Sequence, residues 1–312
     1  MILKEEKLDY IICGGGASGL LLLQALTQDT FFSEKKILLI EKEVKNSNDR
    51  TWSFWEKSKG SFDDLIIKKW DKASFVGPDF RKDFSLTPYH YKMLRSASFY
   101  KKYSPEKTKS KNNKILRATV HKIKTEAKSC MVYTDKGNYS ASKVFSSLFD
   151  PKSLRSQTKY PVLKQHFIGW FIKAPKASFD PNKILFMDFN IPQSRQTRFL
   201  YLLPQDDQHA LVEYTLFSRE LLNNNEYEKG IKKYLTEIGI TDYRIEEKEQ
   251  GNIPMSCYPF NKSNTHSLLH IGTAGGWTKA STGFTFMNTV RQVSRLVSFL
   301  KTEQPLTAFH EK

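Results

Sequence analysis

The stretch "DYIICGGGASGLLLLQALTQ", residues 9–28, decides the fold. From Tyr10 to Leu26 it carries no charge, so it reads as a secretion signal, a membrane span or the opening of a nucleotide-binding fold. The first two readings fail on local chemistry. A secretion signal needs a basic start, an unbroken apolar core and a small-residue cleavage site. This chain opens MILKEEKLDY, with mixed charges, and then places glycines in mid-run. A spanning helix needs about 20 apolar residues, and Gly14, Gly15, Gly16 and Gly19 weaken its middle. The third reading divides the stretch into a short strand, "YIIC", a turn, and a helix, "LLLLQAL".

Gly14, Gly16 and Gly19 then fall at the G-x-G-x-x-G spacing. The first glycine turns the chain off the strand, the second lets backbone approach a pyrophosphate, and the third lets helix and strand pack closely. The helix start, with Ala17 and Ser18 between the last two glycines, faces the phosphates with unpaired N–H groups. A second apolar strand, "KKILLIEKE", ends at Glu41, 22 residues beyond Gly19, where an acid can accept ribose hydroxyls. A glycine-rich turn without nucleotide would keep the glycines but would not need that acid.

At 312 residues the chain is long enough for two modules. Its 39% hydrophobic and 13% aromatic content suits a globular protein with an aromatic interior or pocket. Cys13, Cys130 and Cys257 are too scattered for a disulfide framework or a zinc site, which points to a reducing cytoplasmic setting. The seven histidines form no ligand cluster, so no metal is expected. The net charge of +16 fits nucleic acid, an anionic membrane surface or plain solubility. "KKYSPEKTKSKNNK", residues 101–114, holds six lysines against one Glu and reads as an exposed loop. No helix-turn-helix, zinc finger or RNP platform accompanies the charge, so no nucleic acid is expected.

Beyond Glu41, "SNDRTWSFWEK" is dense in aromatics that serve either a core or a ligand pocket. The residues from "KILRATV" to "SASKVFSS" read as short strands with a turn at "DKGN", returning to the first sheet. "HFIGWFIKAP", "KILFMDF" and "RFLYLLPQDDQHALVEYTLFS" read as an antiparallel sheet forming a second module. "ELLNNNEYEKGIKKYLTEIGI" reads as a helix that opens amid asparagines and closes near Gly239. In "ALVEYTLFS", strand alternation puts Leu211, Glu213, Thr215 and Phe217 on one face and Val212, Tyr214 and Leu216 on the other. Glu213 is then either a solvated strand residue or a carboxyl in a low-dielectric pocket, its pKa raised so that it donates a proton near neutrality. Near the end, "LLHIG" reads as a strand, "TAGGWTKASTG" as a small-residue loop, and "FTFMNTVRQVSRLVSFL" as a helix with Met287, Val290, Val293, Val297 and Leu300 on one stripe.

With these pieces placed, the sequence resembles the flavin-dependent lycopene cyclases of bacterial carotenoid biosynthesis, within the p-hydroxybenzoate hydroxylase-like flavoproteins. The resemblance runs from about residue 8 to about residue 300, on "DYIICGGGASGL", "RTWSFW", "FIGWFI", "ALVEYT", "GNIPM" and "IGTAGGWTKASTGFTF" in that order. The resemblance implies an α/β fold in which an FAD-binding Rossmann-like, three-layer domain is interleaved with an antiparallel β-sheet substrate domain. It assigns 1–75, 112–155 and 264–301 to the FAD domain and 76–111 and 156–263 mainly to the substrate domain. Residues 302–312 are a terminal segment, expected to be cut short of a further helical piece on which activity depends.

The implied reaction is acid-catalysed closure of the ends of lycopene to β-rings, without net redox change. Reduced FAD stabilises the cation, and NADPH or NADH serves as electron donor. Glu213 matches the essential acid. Gly14, Gly16, Ala17, Ser18, Gly19 and Glu41 match the ADP-binding part, and Gly272, Thr273, Gly275 and Gly283 the flavin-proximal part. Thr273 stands where many relatives of the wider fold carry Asp, which weakens the carry-over of that contact. The substrate's solubility in lipid implies a protein peripheral to the inner face of the membrane. The competing readings are an FAD-dependent monooxygenase or reductase acting on another apolar substrate, and a basic nucleotide-binding scaffold.

Overall fold

Continuous apolar runs form strands that are covered on both faces, and the strand Leu8–Cys13 is apolar and buried at every position but Asp9. In the computed structural model, which describes residues 8–310, it pairs in parallel with Ile37–Ile40 and with Gly137–Ser146. The opening residues read against a secretion signal, 1–7, lie outside the described residues, as do the last two of the segment 302–312. Asn113–Leu116 and Leu268–His270 extend the parallel part. Val120–Thr125 and Cys130–Thr134 add an antiparallel ribbon, making a seven-stranded sheet.

The helices Ala17–Gln28 and Phe286–Leu300 cover one face. Leu22, Leu26, Val293, Leu296 and Leu300 pack there with Ile12, Leu39 and Phe145. The buried side of the second helix includes Val293, Val297 and Leu300, with Met287 and Val290 partly buried against the same core. On the opposite face Ile11, Cys13, Leu38 and Ile40 pack against Ala118, Cys130 and Val132. The lysine-rich stretch is less of a free loop than its composition suggests. It finishes the helix Ser96–Lys102, makes a short turn of helix at Pro105–Thr108 and enters the strand Asn113–Leu116.

A second seven-stranded sheet, largely antiparallel, runs in the spatial order Arg244–Met255, Leu163–Lys173, His209–Ser218, Thr197–Pro204, Lys183–Asp188, Lys72–Gly77, Phe80–Ser85. Its outer face is closed by the helix Asn224–Glu237, whose Tyr227, Ile231, Tyr234 and Leu235 pack on Ile168, Trp170, Val212 and Tyr214. That helix starts with a capping box between Asn223 and Glu226. It stops at Gly239, at φ +79°, a conformation glycine adopts without strain.

Thr51–Glu56, His90–Arg95 and Ile66–Trp70 form a separate three-stranded sheet. Strand alternation splits its aromatics between two sides. Trp52 and Phe54 stack on Phe286 at the start of the last helix, whereas Trp55 packs with Tyr91 and Phe186 toward the large sheet. The small sheet is therefore a wall, with a cofactor-type α/β core on one side and the inner face of the antiparallel sheet on the other. Among the described residues no helix is long and apolar enough to cross a membrane.

Candidate functional site

Gly14 leaves the first strand at φ +101°, and a Cβ there would lie 2.1 Å from Ser147 Oγ. Gly19 faces Gly14 so closely that a Cβ would come 1.9 Å from the Gly14 carbonyl oxygen. Gly16 differs: it is the N-cap of the helix Ala17–Gln28, no side chain caps that end, and a Cβ there would meet nothing within 4 Å. The squeezed glycines shape the turn, and the open one leaves bare N–H groups facing free space. That combination suits a phosphate approaching the backbone.

The C-terminal loop reaches the same place. Gly272, at φ +61°, lies against Ser18, whose Oγ would be 2.6 Å from a Cβ. Gly275 is pressed onto the His270 carbonyl, and the half-buried Thr273 uses its own carbonyl to accept the Gly276 N–H at 3.1 Å. Glu41 is buried. One carboxylate oxygen accepts the Gly15 N–H at 2.5 Å and the other the Glu43 N–H at 3.0 Å, leaving lone pairs for hydroxyl donors. A cleft of about 180 Å³ opens beside it, lined by Gly15, Glu41, Val44, Tyr100 and Arg117 among others. A larger cleft of about 480 Å³, lined by Gln28, Lys102, Lys107 and Asn113 among others, contains none of the predicted site residues. Of the two, only the smaller cleft joins the glycine turn to Glu41.

Gly283, at φ +71°, marks where this loop meets the large sheet, since a Cβ there would fall 2.0 Å from Gln165 Oε1. Gln165 Oε1 and Thr282 Oγ1, at the loop preceding the last helix, are buried without a hydrogen-bond partner among the described residues. Gln165 shares a strand face with Gly169, four residues on, or roughly 13 Å at the rise of a strand.

Gly169 pairs with Glu213, the predicted acid, which therefore lies on the inner face of the large sheet. Val212, Tyr214 and Leu216 point instead to the outer core under the helix. The Glu213 side chain keeps some accessible surface, although protein crowds it closely. Thr215 Oγ1 donates to its Oε1 at 2.6 Å. Burial, with the Glu249 carboxylate second, pushes the Glu213 pKa up to about 8, against the opposing Thr215 hydrogen bond. Tyr201 is its cross-strand neighbour, and the Tyr91 hydroxyl lies near enough for the Glu213 charge to help raise its pKa, after burial. Tyr91 and Tyr201 both contact the Phe186 ring, and Trp55 packs on Tyr91 and Phe186, so an aromatic cluster stands beside the acid.

Glu249 escaped the sequence reading because "RIEEKEQGN" looks like a solvated edge. The structure gives this strand a period-2 burial, with Ile245, Glu247, Glu249 and Gly251 less exposed than their neighbours. Glu56, at the end of the strand Thr51–Glu56, is tied to the buried Lys92 ammonium at 2.7 Å. Arg95 pairs with Glu247 and stacks on Phe171, 4.0 Å from the ring centre. Among the described residues, no group of three or more His, Cys, Asp or Glu side chains is placed to hold a metal ion.

Over residues 9–308 the sequence matches the family described as lycopene cyclase protein. The chain belongs to that family. No curated protein matches the sequence. Solved structures share the fold at low identity. A geranylgeranyl bacteriochlorophyll reductase-like protein from Thermoplasma acidophilum aligns with a TM-score of 0.70 and 13% identity, over 98% of this chain and 82% of its own. A variant of the halogenase PltM, solved in complex with FAD, gives 0.67 and 12%, over 97% and 72%. The tetracycline destructase Tet(55) gives 0.63 and 13%, over 98% and 84%. This family member therefore has the mixed α/β architecture of the Rossmann-type flavoproteins.

Proposed function

We propose that this protein is a flavin-dependent lycopene cyclase that closes the ends of an acyclic carotenoid by acid catalysis, without net redox change. The observation that carries the reading is the place of Glu213, on the inner face of the large sheet beside Gly169 and Tyr201, where burial pushes its pKa up to about 8. Glu213 donates its proton to the terminal double bond. The faces of Trp55, Tyr91, Phe186 and Tyr201 exclude water and attract the carbocation that forms. Gly14, Gly16, Ala17, Ser18, Gly19 and Glu41 would hold the ADP half of FAD, and Gly272, Thr273, Gly275 and Gly283 its flavin side. When bound, reduced FAD, charged by a nicotinamide cofactor, supplies negative charge beside the cation. A monooxygenase or reductase of this fold has no use for a protonated carboxyl at that point. The net charge of +16 supports delivery of the lipid-borne substrate at an anionic membrane surface.

The test is purified protein with reduced FAD and lycopene carried in anionic vesicles. Cyclic carotenoid is expected, with conversion weakening as salt screens the lysines. A hydroxylated or reduced product would replace this reading with the oxygenase or reductase.

Flavin occupancy provides a separate check. Gly16→Val inserts a side chain into space that is free of protein atoms, so the fold is expected to survive while the purified variant loses its yellow cofactor. Full occupancy would move the pyrophosphate away from this turn.

A further inference from the structure

We propose that Glu249 is the proton acceptor of the ring closure, facing Glu213 across Gly169 so that the two carboxyls hold one proton between them. The inference rests on the cyclase reading above.

The strand Leu163–Lys173 lies between His209–Ser218 and Arg244–Met255, and Gly169 is paired with Glu213 on one side and Glu249 on the other. The two glutamates stand on one face, two strand spacings apart, or roughly 10 Å at the backbone. The position between them has no room for a side chain. A Cβ on Gly169 would come 2.9 Å from Leu211 Cδ1, 3.2 Å from Glu249 Cγ and 3.5 Å from Glu213 Cγ. Both side chains therefore lean over the glycine, and their Cγ atoms are at most about 7 Å apart, the sum of the last two distances. A glycine inside a strand marks such a close approach.

Each carboxyl is held by one hydroxyl: Thr215 donates to Glu213 Oε1 and Thr51 to Glu249 Oε2, both at 2.6 Å. The other oxygen of each has no hydrogen-bonding partner among the described residues and is left for substrate or for its counterpart. The surroundings differ. Glu213 faces Tyr91, Tyr201 and Leu211, which favours the neutral acid. Glu249 feels the positive charges of Arg95 and Arg50, opposed by Glu247, and these cations favour the carboxylate. Burial raises both pKa values. Two carboxyls whose environments differ in this way divide into an acid and a base.

The cycle balances. The Glu213 proton passes to a carbon of the terminal double bond, leaving a carbocation and the Glu213 carboxylate. A neighbouring double bond attacks the cation, closing the ring and moving the charge onto a ring carbon. The Glu249 carboxylate removes a proton from the adjacent carbon, and that C–H electron pair becomes the ring double bond. The proton then returns from Glu249 to Glu213 across the side-chain-free Gly169. One proton enters the substrate, one leaves, and no electron is lost.

The variants are Glu249→Gln and Glu249→Asp, assayed with reduced FAD and lycopene in vesicles, with flavin content measured alongside. Glu249→Gln is expected to lower kcat roughly a hundredfold, the scale of one acid–base partner, at unchanged flavin content. Glu249→Asp restores part of the rate. The parent rate should fall on both sides of its pH optimum. Glu249→Gln should lose the acid limb, which reports protonation of the base, and its alkaline limb should move to lower pH, because Glu213 loses the neighbouring charge that helps to raise its pKa. A uniformly scaled profile, or turnover at the parent rate, overturns the proposal and leaves the cyclase reading intact.

Thr51→Val is the milder variant should Glu249→Gln fail to fold. It removes a hydrogen bond to the carboxylate, so the acid limb should move to higher pH, and an unmoved limb overturns the proposal. If the parent forms no cyclic product, the cyclase reading is what fails. The pair is then judged by infrared titration of the Glu213 carboxyl. Loss of the neighbouring charge in Glu249→Gln should lower its pKa, and an identical titration in both proteins would overturn the sharing of a proton.

Discussion

Glu213→Gln is expected to fold, to hold flavin and to form no cyclic carotenoid, a loss on the order of a thousandfold or more for a step that depends on one general acid. The amide keeps the shape and accepts the Thr215 hydrogen bond, but it has no proton acidic enough for an alkene carbon. Glu213→Asp, shorter by one methylene, should retain only a trace, since a displaced acid loses the alignment on which proton transfer depends. In the parent, activity should fall as pH rises through about 8, where the Glu213 carboxyl ionises. Product formed at the parent rate by Glu213→Gln would reduce Glu213 to a strand residue.

The same substitution has a consequence for stability, of opposite sign to that for activity. Burial and Glu249 raise the folded-state pKa from 4.5 to about 8, so between these values the folded protein binds more protons than the unfolded chain. Stability contributed at this site is then greatest at low pH and declines as pH rises through that window. Glu213→Gln removes the decline. Urea unfolding should show parent and variant alike near about pH 4 and the variant firmer near about pH 9, by on the order of a few kcal/mol. A carboxyl kept buried at a cost to the fold is one mark of a functional site.

Sequence and structure agree best where the chemistry is local. Gly14, Gly16 and Gly19 act within one turn, so their spacing alone prescribes a tight bend, a bare helix start and a close helix–strand contact. Alternation set Glu213 opposite Val212, Tyr214 and Leu216 but left open whether its face was solvated or enclosed, and only the family resemblance singled it out as an acid. Glu249 was not legible, because what makes it special is a register. Gly169 must be aligned with both Glu213 and Glu249, a relation among three strands that no local pattern encodes. The wall around the acid was hidden for a similar reason. Trp55 and Tyr91 belong to a small sheet assembled from residues 51–95, and only its placement against the large sheet turns those aromatics from core filler into a lining.

Gly19→Ala is expected to destabilise the α/β core and to abolish flavin binding, although helix propensity by itself favours alanine over glycine by about 1 kcal/mol. Sterics decide the outcome. The new methyl would sit 1.9 Å from the Gly14 carbonyl oxygen and 3.1 Å from its carbon, both backbone atoms of the turn that Gly14 makes at φ +101°. Relief requires the helix Ala17–Gln28 to move off the strand Leu8–Cys13. Leu22, Leu23 and Leu26 are fully or almost fully buried on that helix and would lose contact as it moves. Overpacking of this kind costs about 1–3 kcal/mol or more, which exceeds the gain in propensity. The contrast with Gly16→Val separates the two roles of the motif. At Gly16 the space is free of protein and only the ligand is displaced, so the thermal midpoint should hold while flavin is lost. At Gly19 the midpoint and the flavin should fall together. A Gly19→Ala protein with parental midpoint and full flavin would show that this turn can open without cost, and the close approach of helix to strand would no longer explain the third glycine.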